Sequence, residues 1–128
     1  MMRRQSTQRH LLSSYYRLAR LLVDDPDNNC RWQALIILGE FVASAPERVW
    51  PIVRRYGEHR DPDMRTAVAT ILLEHPLERH FAAYLPRVKR MVANSPSRFG
   101  DTLSRAWLLG QACAHEREIK ALQAFVCG

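Results

Sequence analysis

A chain of 128 residues, 47% hydrophobic and 25% charged, is long enough for one domain with a buried core and short for two. Five glycines argue against a turn-rich β fold, and no apolar run approaches the roughly 20 residues that span a bilayer. A net charge of +6 raises the question of an anionic partner, although seventeen Arg against two Lys is a bias that codon usage produces as readily as function.

Cys30, Cys113 and Cys127 form neither a CxxC pair nor an even disulfide set, and no secretory apolar region opens the chain, so a reducing cytoplasm is the expected compartment. Arg3, Arg4, Arg9, Arg17 and Arg20 precede the first acid, Asp24, a pattern shared with organellar transit peptides. The stripe Leu11, Tyr15, Leu18 and Leu22 predicts instead a first helix, about Thr7 to Val23, that docks on the next one. Residues 1–6 then form a flexible basic terminus, and residues 7–126 a single domain.

Asp24-Asp25-Pro26-Asp27-Asn28-Asn29 is a turn and cap cluster, because short polar side chains satisfy the free N–H groups that open a helix. Helix two, about Asn29 to Ser44, is apolar almost all round and predicts an inner helix packed on both flanks. Helix three, about Pro46 to His59, carries Val49, Ile52, Val53 and Tyr56 on one face and charges on the other, with Pro51 inside it. Helix four starts at Asp61-Pro62 and ends near His75-Pro76. Helix five spans about Pro76 to Ala93 and holds Pro86, helix six lies between Pro96 and Cys113, and helix seven runs from about His115 to Val126 with Ile119, Leu122, Phe125 and Val126 inward.

Two recurrences share one period. Trp50-Pro51-Ile52-Val53-Arg54-Arg55-Tyr56 returns 35 positions later as Leu85-Pro86-Arg87-Val88-Lys89-Arg90-Met91, and Asp27-x-x-x-Arg31 returns 34 positions later as Asp61-x-x-x-Arg65. Periods of this size indicate stacked helical hairpins that bury one another's apolar faces. Pro51, Asp61 and Arg65, with Asp25 or Asp27 and Arg31 before them and Pro86 after, resemble the HEAT repeat, an armadillo-like α-solenoid family. Arg17 stands where the first unit would have its proline. Asp101-x-x-x-Arg105 follows its counterpart by 40 residues, through a longer turn or by accident. The resemblance implies an all-α, short right-handed superhelix of about three helical hairpins with a C-terminal capping helix. It also implies that the Asp/Arg pairs are structural.

No nucleophile motif, glycine-rich phosphate loop, paired carboxylates, metal-ligand spacing or cofactor signature is present. His59 beside Asp61 and Asp63 reads as part of a cap, and His75 and His80 fall on different faces of a helix. Trp32 and Trp107, in apolar segments, are assigned to the core and Trp50, beside Pro51, to partial exposure. The expected function is a non-enzymatic protein-interaction scaffold or adaptor whose inner helices offer Gln33, Glu40, Thr70 and Glu74 to a partner. The alternative is nucleic-acid binding through a basic stripe of Arg54, Arg55, Arg60, Arg87, Lys89 and Arg90. At fold level that alternative resembles the HEAT-like DNA-alkylation-repair glycosylases, whose activity is the one catalytic option left. A homodimer that hides an exposed end of the stack is a third kind of partner.

Overall fold

A computed structural model describes residues 14–94 and 97–127, with side chains through 122. The expected flexible terminus at 1–6, the helix start at Thr7, Leu11, and the side chains of Phe125, Val126 and Cys127 lie outside the described residues. Among the described residues all regular structure is helical, so the chain is all-α. The order is α1 (14–22), α2 (Asn28–Gly39), α3 (Pro46–Tyr56) and α4 (Pro62–Ala67), which runs through a π-helical stretch (Val68–Leu73) into α5 (Glu74–Arg79). Then follow α6 (Phe81–Ala93), α7 (Phe99–Ser104), α8 (Gly110–Ala114) and α9 (Glu116–Cys127).

Burial in α1 is one residue out of step with the expected stripe. Tyr16, Ala19 and Val23 are buried while Tyr15 and Leu18 face out at 56% and 49% exposure, and only Leu22 of that stripe packs against the core. Tyr16 decides the rotation, because its hydroxyl donates to the Arg48 carbonyl at 2.6 Å and its ring meets Phe41 edge-on. Ala19 is small enough to let α1 come close.

Helix α2 opens on Asp27, whose carboxylate accepts from the N–H groups of Asn29 and Cys30. It ends at Gly39, short of the expected Ser44, where a β-carbon would lie 2.9 Å from Ile71 Cγ2. Ala34, Leu35 and Leu38 are buried, yet Ile36 is 47% exposed, so α2 keeps one open side and is not packed on both flanks.

Pro76 does not start a helix. The chain remains helical to Arg79 and breaks only at His80, with Pro76 buried inside α5. Proline removes one N–H and crowds the carbonyl four residues back, which is Leu72. Leu72 lies in the π-helical stretch, whose wider ladder reaches five residues back and makes room for the ring.

The recurrences of the sequence have matching settings at most positions, Ile52 and Tyr56 being buried where Arg87 and Met91 are half-buried. Trp50 and Leu85 are buried, Pro51 and Pro86 exposed, Val53 and Val88 buried, and Arg55 and Arg90 exposed. In the turns, Arg31 Nη1 donates to the carbonyls of Asp25 and Pro26, and Arg65 Nη1 donates to those of His59 and Arg60, 34 residues on in every case. Each arginine also reaches the following turn. Arg31 Nη2 lies 3.3 Å from Asp61, and Arg65 Nε lies 2.8 Å from Asp101. Asp-x-x-x-Arg is therefore not a pair within itself in the first two units: Asp caps its own helix and Arg ties two successive turns together.

The third occurrence differs. Asp101 is the third residue of α7 rather than its cap, and it takes both Arg65 and Arg105, each at 2.8 Å. The single helix expected between Pro96 and Cys113 is split by residues 105–109, and Gly110 restarts it at φ +53 against Glu78, where a β-carbon would meet Glu78 Cγ at 2.5 Å. Helix α9 closes the core with Ile119, fully buried, and Leu122 beside it, while Glu116 and Lys120 pair outside at 2.6 Å.

Candidate functional site

Two surfaces hold the candidate side chains, some of them already engaged within the fold. The first is a cleft of about 660 Å³ between α3 and α6, lined by Arg54, Arg87 and Arg90 over Trp50, Pro51 and Met91. An adjoining hollow brings in Arg55 and Glu58, and a smaller one between α1 and α3 joins Arg20 and Arg55 beside Asp24. The expected stripe is thus only partly assembled. Arg54, Arg55, Arg87 and Arg90 come together, whereas Lys89 and Arg60 line none of these hollows.

The charges in the cleft are of two kinds. Glu47 is held by Arg87 through both carboxylate oxygens at 2.9 Å and accepts from the Tyr84 hydroxyl at 3.1 Å. Arg87 also covers the Tyr84 ring at 4.8 Å. The hydrogen bond from Arg87 holds the Glu47 carboxyl below its usual range against a smaller desolvation effect. Glu58, at the other end, accepts from the Ser97 hydroxyl and the Arg98 N–H. The side chains of Arg54 and Arg90, both exposed, have no hydrogen bond or ion pair among the described residues. Nearby, Tyr56 donates to Asp24 at 2.6 Å; burial, the bond to Asp24 and its charge push the phenol up to about 12.

The second surface is the open side of α2, α4, the π-helical stretch and α5. Gln33 on α2 and Glu40 at its C-terminal cap, seven residues apart, lie exposed with Ile36 between them in sequence. Thr66, Thr70 and Glu74 follow at four-residue steps. The two threonines spend their hydroxyls on carbonyls one turn back, and Thr66 also accepts from Arg105 Nη1 at 2.9 Å. Glu74 accepts from the Trp107 N–H at 3.0 Å. Burial, against that N–H and aided by Glu78, raises the Glu74 carboxyl above its usual range.

The tryptophans exchange their expected places. Trp107 is 71% exposed, on the segment between α7 and α8, and Leu109 beside it is 45% exposed. Trp50 is only 7% exposed, tilted against Tyr84 at 5.3 Å, and Trp32 is half-buried with its indole N–H on Asp63 at 2.7 Å. Sequence reasoning missed Trp107 because the apolar run Ala106-Trp107-Leu108-Leu109 looks like helix. The helix-breaking Gly110 was the available signal.

No family model matches the chain, and no curated protein or solved structure matches it. Among the described residues no group of three or more His, Cys, Asp or Glu is arranged to hold a metal ion. His59 Nδ1 accepts from the Asp61 N–H, which fits its role in the turn, and burial outweighs the pull of Asp61 to lower its pKa. His75 and His80 come closer than their helical spacing implies, with ring centroids 6.4 Å apart, because the helix ends between them. Among the described residues no helix is long and apolar enough to cross a membrane.

Proposed function

We propose that this protein is a non-enzymatic interaction scaffold of HEAT type, a short right-handed superhelix of about three hairpins with α9 as its cap, working in a reducing cytoplasm. The turn clamps of Arg31 and Arg65, repeated contact for contact, and the matched burial around Pro51 and Pro86 support the repeat reading. The partner is a protein, bound along the open side that carries Gln33, Glu40, Thr70 and Glu74.

The observation that carries this reading is Trp107. A tryptophan 71% exposed, with its backbone tethered to Glu74, is a large apolar surface held in place and left largely open among the described residues. Ile36 and Leu109, at 47% and 45%, extend the apolar character. The test is affinity capture with Trp107→Ala and Ile36→Ser beside the unaltered protein, each checked for unchanged unfolding. Loss of the same specific partner in both variants supports the reading; an undiminished partner set contradicts it.

The alternative is nucleic-acid binding, favoured by the row of Arg20, Arg55, Arg54 and Arg90 across three helices. A labelled duplex bound with steep salt dependence, and released when Arg54, Arg55, Lys89 and Arg90 are changed to Glu, would establish it.

A further inference from the structure

The α3–α6 cleft is lined by none of the residues of the Trp107 surface and asks for a different ligand chemistry. Among the described residues nothing pairs with the side chains of Arg54 and Arg90 on its rim, Arg87 is already neutralised by Glu47, and Pro51 and Met91 give it an apolar floor. Three features bear on what fits there. The first is length: α3 spans about 16 Å from the Glu47 end to the Glu58 end, room for about five residues of extended chain. The second is the charge at the two ends: the Glu47–Arg87 pair is neutral and Glu58 is a carboxylate without a cationic side chain on it among the described residues, so the positive charge is confined to the middle of the cleft. The third is the state of the aromatics. Trp50 and Tyr84 are 7% and 3% exposed and packed on each other, so neither offers a face on which a base could stack.

We infer that this cleft binds a short acidic segment of a partner protein, with an apolar side chain set on Pro51 and Met91 and flanking carboxylates on Arg54 and Arg90. The inference rests on the reading of the protein as an interaction scaffold, but not on the Trp107 surface. Two guanidiniums on facing helices, unpaired among the described residues, match two carboxylates in a fork geometry that lysines would not supply. Glu58, whose carboxylate is met only by a hydroxyl and a backbone N–H, repels an acidic chain that overruns its end of the cleft, and the neutral Glu47–Arg87 pair offers such a chain no net attraction at the other.

The test is fluorescence anisotropy with a short fluorescein-labelled peptide of glutamates spaced by single leucines. A peptide of the same length with glutamine for glutamate, an oligothymidylate and a short duplex serve as the other probes. The acidic peptide should bind at low salt, weaken as salt is added, and lose roughly tenfold or more in affinity with Arg54→Glu plus Arg90→Glu. The glutamine peptide should bind at least about tenfold more weakly than the acidic one. Met91→Ser, which keeps the charge, should weaken binding of the acidic peptide without changing its salt dependence. No binding of the acidic peptide at low salt, equal binding by the double variant, or nucleic acid bound more tightly through the same two arginines would each overturn the inference. Partner capture that depends on Trp107 while the peptide fails would remove the cleft assignment and leave the scaffold reading standing.

Discussion

At the turn edge, the side chains of Arg31 and Arg65 are 17% and 11% exposed and end on backbone carbonyls and carboxylates. On the rim of the cleft, the side chains of Arg54 and Arg90 are exposed and end on nothing among the described residues. The residue type is the same, and so is its contribution to a net charge of +6, but the physical role is opposite. A half-buried guanidinium with several acceptors holds the turns, because its removal leaves those acceptors without donors. A solvated guanidinium on a cleft rim contributes little to folding and keeps its hydrogen-bonding capacity for a ligand. Net charge alone does not separate the two.

The sharpest way to break that comparison is to remove the turn arginines. Arg65→Ala should cost about 3 kcal/mol in urea unfolding, since it strips donors from Asp101 and from the His59 and Arg60 carbonyls at once. Arg31→Ala should cost less, about 1–2 kcal/mol, because its side chain is the more exposed of the two, its ion pair is longer at 3.3 Å against 2.8 Å, and its buried Nε has no partner among the described residues. Equal losses would mean that the two clamps are not graded by burial and contacts.

Acid should act on the same edge. Desolvation works to raise the Asp101 carboxyl, but hydrogen bonds from Arg105 and Arg65 outweigh it and hold it below the ordinary range. A carboxyl lowered on folding adds stability above its unfolded value and loses it as the pH falls through the folded one. The gap in stability between the unaltered protein and Asp101→Asn should therefore be full at neutral pH and shrink below about pH 4. Tyr56 gives the alkaline counterpart. Its phenol is raised on folding, so its contribution is present below about pH 10 and lost as the pH climbs towards 12, which ultraviolet titration of the phenolate would follow.

The smallest expected effect belongs to the exposed surface. Trp107→Ala should change unfolding by less than about 0.5 kcal/mol, where Trp50→Ala should cost about 3 kcal/mol or more.

Local chemistry made much of the fold legible. Asp27 and Asp61 cap helices because capping needs only nearby N–H groups, and Pro51 and Pro86 lie within the helices expected to hold them. Where the outcome depended on distant partners, the sequence was ambiguous. The one-residue rotation of α1 is set by the Arg48 carbonyl, and the helix through Pro76 depends on the π-helical stretch before it. The cross-turn reach of Arg65 is set by Asp101, 36 residues away. At the candidate site, the arginines were visible as residue types. That Arg87 is consumed by Glu47 while Arg54 and Arg90 are left over is a fact of helix–helix register, which no local pattern encodes.

Urea unfolding of the Arg54→Glu plus Arg90→Glu variant, at neutral pH and low salt, tests the division of labour most directly. Surplus cleft charge predicts a midpoint unchanged within about 0.5 kcal/mol. A loss comparable to that of Arg65→Ala would show that these arginines hold the fold, and would contradict the account.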